Sequence, residues 1–335
     1  MMNSSLGDLH ATENYYGYND SKISTLKEEI IEALQKHLLV NFSLANMNGT
    51  ADHLNYNYGG IFIEEKIIFS VVLIICSIGA PLNGIVIWLL GFQIKRNPFT
   101  VLILNLAIAD FGFLIFMTIS CINIFIGFIQ RGIPQKIFYS LFNVTYINGL
   151  FLLTAISIDR CVAVLFPIWH RCSRPKYLSP AVCTFLWILS FLLAGISSNL
   201  NIVILSYTIK DFHLVMTAVL CLLLITISTV ILFIKICLKS KQLKHGRILV
   251  MTFITVLCFL ILTLPFYIYV FLIYFIPQLY FIGSIQLELY FSLFAPLNCS
   301  VNPVIYFLVG RKKSARSRES IKVIFQRVFR EDEAP

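Results

Sequence analysis

Charge is what this sequence has least of. Only 13% of its 335 residues are Asp, Glu, Lys or Arg, against 58% that are hydrophobic, whereas a soluble domain carries about a quarter charged residues. Such a shortage cannot be spread over a water-facing surface, so most of the chain must face lipid. Other absences narrow the class. Of nine cysteines, none falls in the first sixty residues or in a clear outer loop, so no extracellular disulfide framework is expected and no disulfide is predicted. The same sixty residues lack the basic start, short apolar core and small-residue cleavage site of a secretory leader. The first apolar span is therefore expected to act as its own insertion signal.

The apolar runs count out as seven crossings, each needing about twenty mostly apolar residues. Ile67 to Leu90 carries no charge, Val101 to Ile129 carries only Asp110, and Ile137 to Leu165 is apolar until Asp159 and Arg160. Tyr177 to Ile234 is too long for one crossing and suits two, with the break between Asn199 and His213. Ile248 to Val309 again suits two, turning near Pro277 and Gly283. The fold class expected is an all-α integral membrane bundle of seven helices. Residues 1–65 form a tail, 66–310 the bundle, and 311–335 a terminal segment.

Basic residues set the orientation. Lys95, Arg96, Arg171, Arg174, Lys176, Lys235, Lys239, Lys241, Lys244, Arg247, Arg311, Lys312, Lys313, Arg316 and Arg318 collect on one side; Arg131, Lys136 and Lys210 lie on the other. The first side reads as cytoplasmic, which puts the N-terminus outside and the C-terminus inside a plasma membrane. The net charge of +9 then reflects topology and contact with anionic lipids, and nothing in the pattern points to nucleic acid. Glycosylation sequons at Asn3, Asn19, Asn41 and Asn48 suit an outer tail. Beyond the seventh span, Ile321, Ile324, Phe325, Val328 and Phe329 recur at helical spacing with basic residues opposite. That pattern predicts an amphipathic cytoplasmic helix lying on the inner leaflet.

Polar residues inside the spans are the functional candidates, because an ionisable group at mid-membrane costs about 3 kcal/mol on insertion scales. Asp110 is the clearest, and Asn83, Asn298 and Asn302 lie at comparable depth. Asn298 and Asn302, four residues apart, share a helix face. In Asn302-Pro303-Val304-Ile305-Tyr306 the proline removes a backbone hydrogen bond, freeing a carbonyl for Asn302 or water to satisfy and bending the helix so that Tyr306 can be re-aimed. Pro265 supplies a second hinge. Asp159-Arg160 ends the third span and is followed by Pro167-Ile168 and a basic loop, His170 to Lys176, resembling a docking surface.

In chain order, Asn83, Leu106 to Asp110, Asp159-Arg160, Trp187, Leu264-Pro265 and Asn302 to Tyr306 resemble the rhodopsin-like G-protein-coupled receptors. The likeness extends over roughly Ile67 to Arg330. Arg96 to Val101, Leu152 to Ser157, Phe166 to Tyr177, Tyr306 to Gly310 and Glu319 to Val323 narrow it to the Mas and Mas-related receptors. The resemblance implies a heterotrimeric G protein of the Gq or Gi class as partner, with arrestin, receptor kinases and membrane lipids beside it. In its terms the sixth helix swings about Pro265, Arg160 leaves Asp159 for the C-terminal helix of Gα, Ile168 enters an apolar pocket on Gα, and Tyr306 moves inward. Asp110, Asn298 and Asn302 would form the family's allosteric sodium pocket, and no other cofactor is expected. Phe142, Asn143, Tyr146, Phe266, Tyr267 and Val270 align with the family's ligand cavity, with Asp211 and Glu288 near its mouth. Two acids there suit a basic peptide or cationic amphiphile.

The sequence departs from the pattern at Gly149, where many relatives place a serine sodium ligand, at Gln135, where most have a stapling cysteine, and at Thr263, which replaces a tryptophan. Rival classes lack their signatures. A transporter would show several mid-span charges or internal repeats. An intramembrane enzyme needs a second catalytic partner such as another aspartate or an H-E-x-x-H helix, and a retinal pump needs a lysine that Leu289 to Gly310 does not contain. A receptor fold that acts as partner or decoy without signalling is the alternative; intact Arg160 and Tyr306 weigh against it.

Overall fold

The computed structural model describes residues 51–126, 133–200, 207–238, 247–275, 293–311 and 320–329. Lipid offers backbone groups no hydrogen-bond partner, so a spanning chain must satisfy them within itself, and the described residues accordingly form eight α-helices. These are α1 (Ala51–Trp88), α2 (Pro98–Ile126), α3 (Ile133–Leu165), α4 (Leu178–Leu200), α5 (Tyr207–Leu238), α6 (Arg247–Phe275), α7 (Phe294–Gly310) and α8 (Ile321–Phe329). Two compact units divide the chain, Met1–Glu64 and Glu65–Pro335; of the first, only the opening of α1 is described, and the second holds the bundle.

Five of the helices carry runs long and apolar enough to cross a bilayer, Lys66–Gln93, Pro98–Ile126, Ile137–Leu165, Leu178–Gly195 and Met216–Lys235. Two shorter apolar runs, Leu249–Pro265 and Phe294–Gly310, lie in α6 and α7. The architecture is thus the seven-helix bundle read from the sequence. The break in the long fourth-to-fifth run falls between Leu200 and Tyr207; the turn expected near Pro277 and Gly283 lies outside the described residues. Helix α1 begins well before the apolar run at Ile67, since Glu64, Glu65 and Lys66 interrupt hydrophobicity without interrupting helix.

Helix α3 is the axis of the packing, touching α2, α4, α5 and α6, while α7 packs on α2, α6 and α8. Leu102, Ile103 and Leu106 of α2, Leu152, Leu153 and Ile156 of α3, Ile225 of α5, Val256 and Phe259 of α6 and Ile305 of α7 join one buried core. A second cluster ties α1 to its neighbours through Val72, Cys76, Phe113, Leu114 and Cys299.

Local sequence fixes the end of the bundle where the basic residues gather. Asn97 caps α2: its Oδ1 accepts the Thr100 amide at 2.7 Å and Thr100 Oγ1 accepts the Asn97 amide at 2.8 Å. Pro98 stands in the first turn, where its missing N–H costs nothing. The same Asn97 reaches out through Nδ2 to the Phe329 carbonyl at 2.9 Å, tying the last residue of α8 to the start of α2.

The terminal helix corrects an expectation. Of its five predicted leaflet-facing residues, Ile324, Phe325, Val328 and Phe329 are buried in protein, and Ile321 with Val323 are the large apolar side chains left exposed. The reason is aromatic fit: Tyr306 meets Phe325 and Phe329 edge-on at 6.5 and 6.1 Å, and Phe329 reaches Phe99 at 6.4 Å. Gly310 makes the approach possible, because a Cβ there would stand 2.6 Å from both Ile324 and Val328.

Candidate functional site

Two carboxylates organise the polar interior. The deeper is Asp110 on α2, which is 4% exposed. Its Oδ2 accepts the Asn302 Nδ2–H at 2.8 Å, from α7. Asn298, one turn earlier on α7, is also buried. Opposite stands Gly149, where a Cβ would lie 3.8 Å from Asp110 Oδ1, so a serine hydroxyl would reach the carboxylate and glycine brings none. A hard cation needs several oxygen ligands. Here the hydroxyl is missing and Asn302 turns its N–H to the carboxylate, so this donor set does not fit a sodium ion.

Pro303 cannot donate to the carbonyl four residues back, that of Cys299. The side chain that reaches it is not Asn302 but Asn83 of α1, whose Nδ2 donates to Cys299 O at 3.1 Å and to Gly79 O at 3.0 Å. Asn302 donates instead to Asp110. The carbonyl that Pro303 leaves without an intrahelical donor is therefore served from α1, and Asn302 is engaged by α2. Tyr306, one turn beyond Asn302, is buried against α8.

The second carboxylate, Asp159, lies at the basic end of α3. Its Oδ2 takes Arg160 Nη2 at 2.7 Å and Nε at 3.3 Å. The Arg160 guanidinium also lies 4.0 Å over the Phe99 ring, a cation–π contact that strengthens as water is excluded. Phe99 in turn touches Phe329, so the arginine, the cap of α2 and the terminal helix form one stack. The other oxygen, Oδ1, takes Arg174 Nη2 at 2.7 Å. Arg174 also donates to Ser179 Oγ at 2.7 Å and meets His170 Nε2 at 2.7 Å. The same ring nitrogen lies 3.6 Å from Asp159 Oδ1, so His170 stands beside both the carboxylate and Arg174.

The loop from His170 to Lys176 is thus not simply a basic docking surface. His170 and Arg174 turn inward, while Pro167 and Ile168 stay outside, Ile168 being 80% exposed. Residue type could not reveal this, because an inward and an outward arginine look alike in a loop. The one signal was spacing: positions 170 and 174 stand four apart, and helical turns flank them.

Toward the opposite end, Phe142 and Tyr146 of α3 pack on Phe113 of α2 at 5.1 and 5.5 Å, and Asn143 is half-buried beside them. Pro265 lies inside α6 at an exposed position, two residues beyond the buried Thr263 and six beyond the buried Phe259. The side chains of Asp211, Phe266, Tyr267 and Val270, together with Glu288 and the sequons at Asn3, Asn19, Asn41 and Asn48, lie outside the described residues. Sequence reasoning also passed over a polar seam among α2, α3 and α4. There Trp187 Nε1 donates to Asn105 Oδ1 at 3.1 Å, and the buried Asn148 faces Ser190 at 3.5 Å.

Comparison with known proteins falls on the same residues. The family described as 7 transmembrane receptor (rhodopsin family) matches residues 82–306. Mas-related G-protein coupled receptor member H of Mus musculus is 37% identical over 276 residues, covering 80% of this chain and 85% of that protein. The Proto-oncogene Mas of Homo sapiens is 33% identical over 301 residues, 84% and 89% of the two chains. Mas-related G-protein coupled receptor member D of Macaca fascicularis is 35% identical over 307 residues, 86% and 93%.

Proposed function

The chain belongs to the rhodopsin-family seven-transmembrane receptors, in their Mas and Mas-related branch, and on that premise we propose that it is a ligand-gated exchange factor for heterotrimeric G proteins of the Gq or Gi class. As a member of that branch it is a G-protein-coupled receptor and a multi-pass membrane protein. The finer reading puts the N-terminal tail outside the plasma membrane and the basic end in the cytoplasm, in keeping with the lysine and arginine bias of the loops.

The observation that carries it is the arrangement at the basic end. Arg160 is parked on Asp159 and Phe99, while Ile168 projects into solvent on the adjoining loop. A buried arginine resting on a carboxylate and a ring face is a group that can be released, and an exposed isoleucine next to it is an anchor for a partner's apolar pocket. In this reading ligand binding favours the state in which α6 pivots at Pro265, where the helix already lacks a backbone hydrogen bond. Arg160 then leaves Asp159 and reaches the C-terminal helix of Gα, and Tyr306 turns inward from its place against α8. Asp110, Asn83, Asn298 and Asn302 hold α1, α2 and α7 in register, without a resident sodium ion. Arrestin and receptor kinases would meet the same end, and membrane lipids its basic rim.

For the ligand, the family resemblance would bring Asp211 and Glu288 to the mouth of a cavity, and Phe142 takes the position where amine receptors carry an aspartate. A basic peptide or cationic amphiphile suits that charge better than a small monoamine, and by the same resemblance Asn143, Tyr146, Phe266, Tyr267 and Val270 would line the cavity. The test is Gα activation in cells displaying equal surface levels of receptor or Arg160→Ala, challenged with basic peptides and amphiphilic amines. A receptor-dependent signal that falls in the variant supports the reading; equal signals from receptor and variant contradict it.

A further inference from the structure

Asp159 serves two cations, not one. Arg160 takes Oδ2 and Arg174 takes Oδ1, each at 2.7 Å, and the side chains of Arg160, Arg174 and Asp159 are only 5%, 8% and 12% exposed. Two guanidiniums on one carboxylate leave a surplus positive charge in a place poorly screened by water. Mutual repulsion weakens the hold on each arginine. More important is what remains when one departs. Breaking a buried ion pair is costly because the abandoned partner is left charged and unpaired. Here, if Arg160 departs, Asp159 keeps a cation already in contact.

Arg174 is built to stay. Ser179 at the start of α4 and His170 on the preceding turn each hold one of its terminal nitrogens at 2.7 Å. Its Nε is buried without a partner. Nε and Nη2 form one edge of a guanidinium, the edge that grips a carboxylate side-on, so the donors for a fuller grip on Asp159 are present and one of them is unspent. Arg160, by contrast, lies with its guanidinium over the face of Phe99.

We propose that Arg174 is a positioning residue that takes over the Asp159 carboxylate when Arg160 leaves it, and so eases the release of Arg160 toward Gα. The inference rests on the coupling function proposed above but concerns a residue outside the Asp159-Arg160 pair.

The test pairs a readout independent of signalling with one that depends on it. Thermal unfolding is measured on purified receptor carrying Arg160→Ala, Arg174→Ala or both, and on the same set with Asp159→Asn. Nucleotide exchange on purified Gαβγ is followed for each in lipid nanodiscs without ligand. The expected result is a double variant that loses more stability than the two single losses added together, with the excess gone once Asp159 is neutral. Arg174→Ala should lower exchange roughly tenfold, a size usual for members of one charge network, and should cause no further loss on the Asp159→Asn background. Arg174→Lys, which keeps a charge without the side-on edge, should fall between. Additive stability losses would overturn the proposal. So would an Arg174→Ala defect of equal size on both backgrounds, since that marks a residue that merely shapes the loop. A wild-type receptor inert toward Gq and Gi heterotrimers would instead overturn the coupling function, and the role of Arg174 in signalling with it.

Discussion

Asp110 and Asp159 are carboxylates withdrawn from water within the same bundle, yet their partners differ in kind. Asp110 meets a neutral amide, that of Asn302 at 2.8 Å, while Asp159 meets two guanidiniums at 2.7 Å each. The first arrangement has no surplus charge, and its neighbours brace helices, Asn83 by donating to two carbonyls and Asn302 by donating to the carboxylate. The second has one cation more than it needs. A network of neutral donors braces helices, and an over-supplied ion pair can let one member go.

The largest effects should come from deleting the carboxylates. Asp159→Ala strands two buried guanidiniums and should cost about 3–5 kcal/mol. Asp110→Ala strands one amide and should cost about 1–3 kcal/mol. Thermal unfolding of the purified receptor would read both, and equal losses would break the comparison. Next in size is Gly310→Ala. The added methyl would press on Ile324 and Val328, an overpacking worth about 1–3 kcal/mol. Its mark should be faster hydrogen exchange in Ile321–Phe329 and at the basic end, with α1 and α2 around Asp110 unchanged. Loss of protection around Asp110 as well would mean that the two regions are not separable. Smaller still, Asn97→Ala removes the cap of α2 and should cost about 1 kcal/mol, loosening α8 through the lost bond to Phe329. Asn83→Ala, at the other carboxylate, should cost a similar amount, about 1 kcal/mol, and loosen α7 at Pro303 instead. Hydrogen exchange mapped on α7 and α8 would separate the two variants.

Much of this was legible in the amino-acid order. The rarity of charge made the spans countable, and the mid-span Asp110, the Asp159-Arg160 pair and the prolines at 265 and 303 stood out because lipid makes such residues costly. What stayed hidden shares a physical cause. Pro303 announces a carbonyl in need of a donor, but the donor, Asn83, lies 216 residues from that carbonyl in sequence. Arg174 counts toward the basic rim whether it faces solvent or Asp159. The apolar stripe of α8 has one spacing for lipid or protein burial, and only the rings of Tyr306 and Phe99 decide between them. Sequence reports a group's requirement; the fold supplies its partner.

The most direct test of the central claim is guanine-nucleotide exchange on purified Gq and Gi heterotrimers by the receptor in lipid nanodiscs, set against Arg160→Ala, with and without basic peptide. The account predicts exchange that rises with peptide, carried by the wild-type receptor and lost in the variant. Exchange that survives the loss of Arg160 would contradict it.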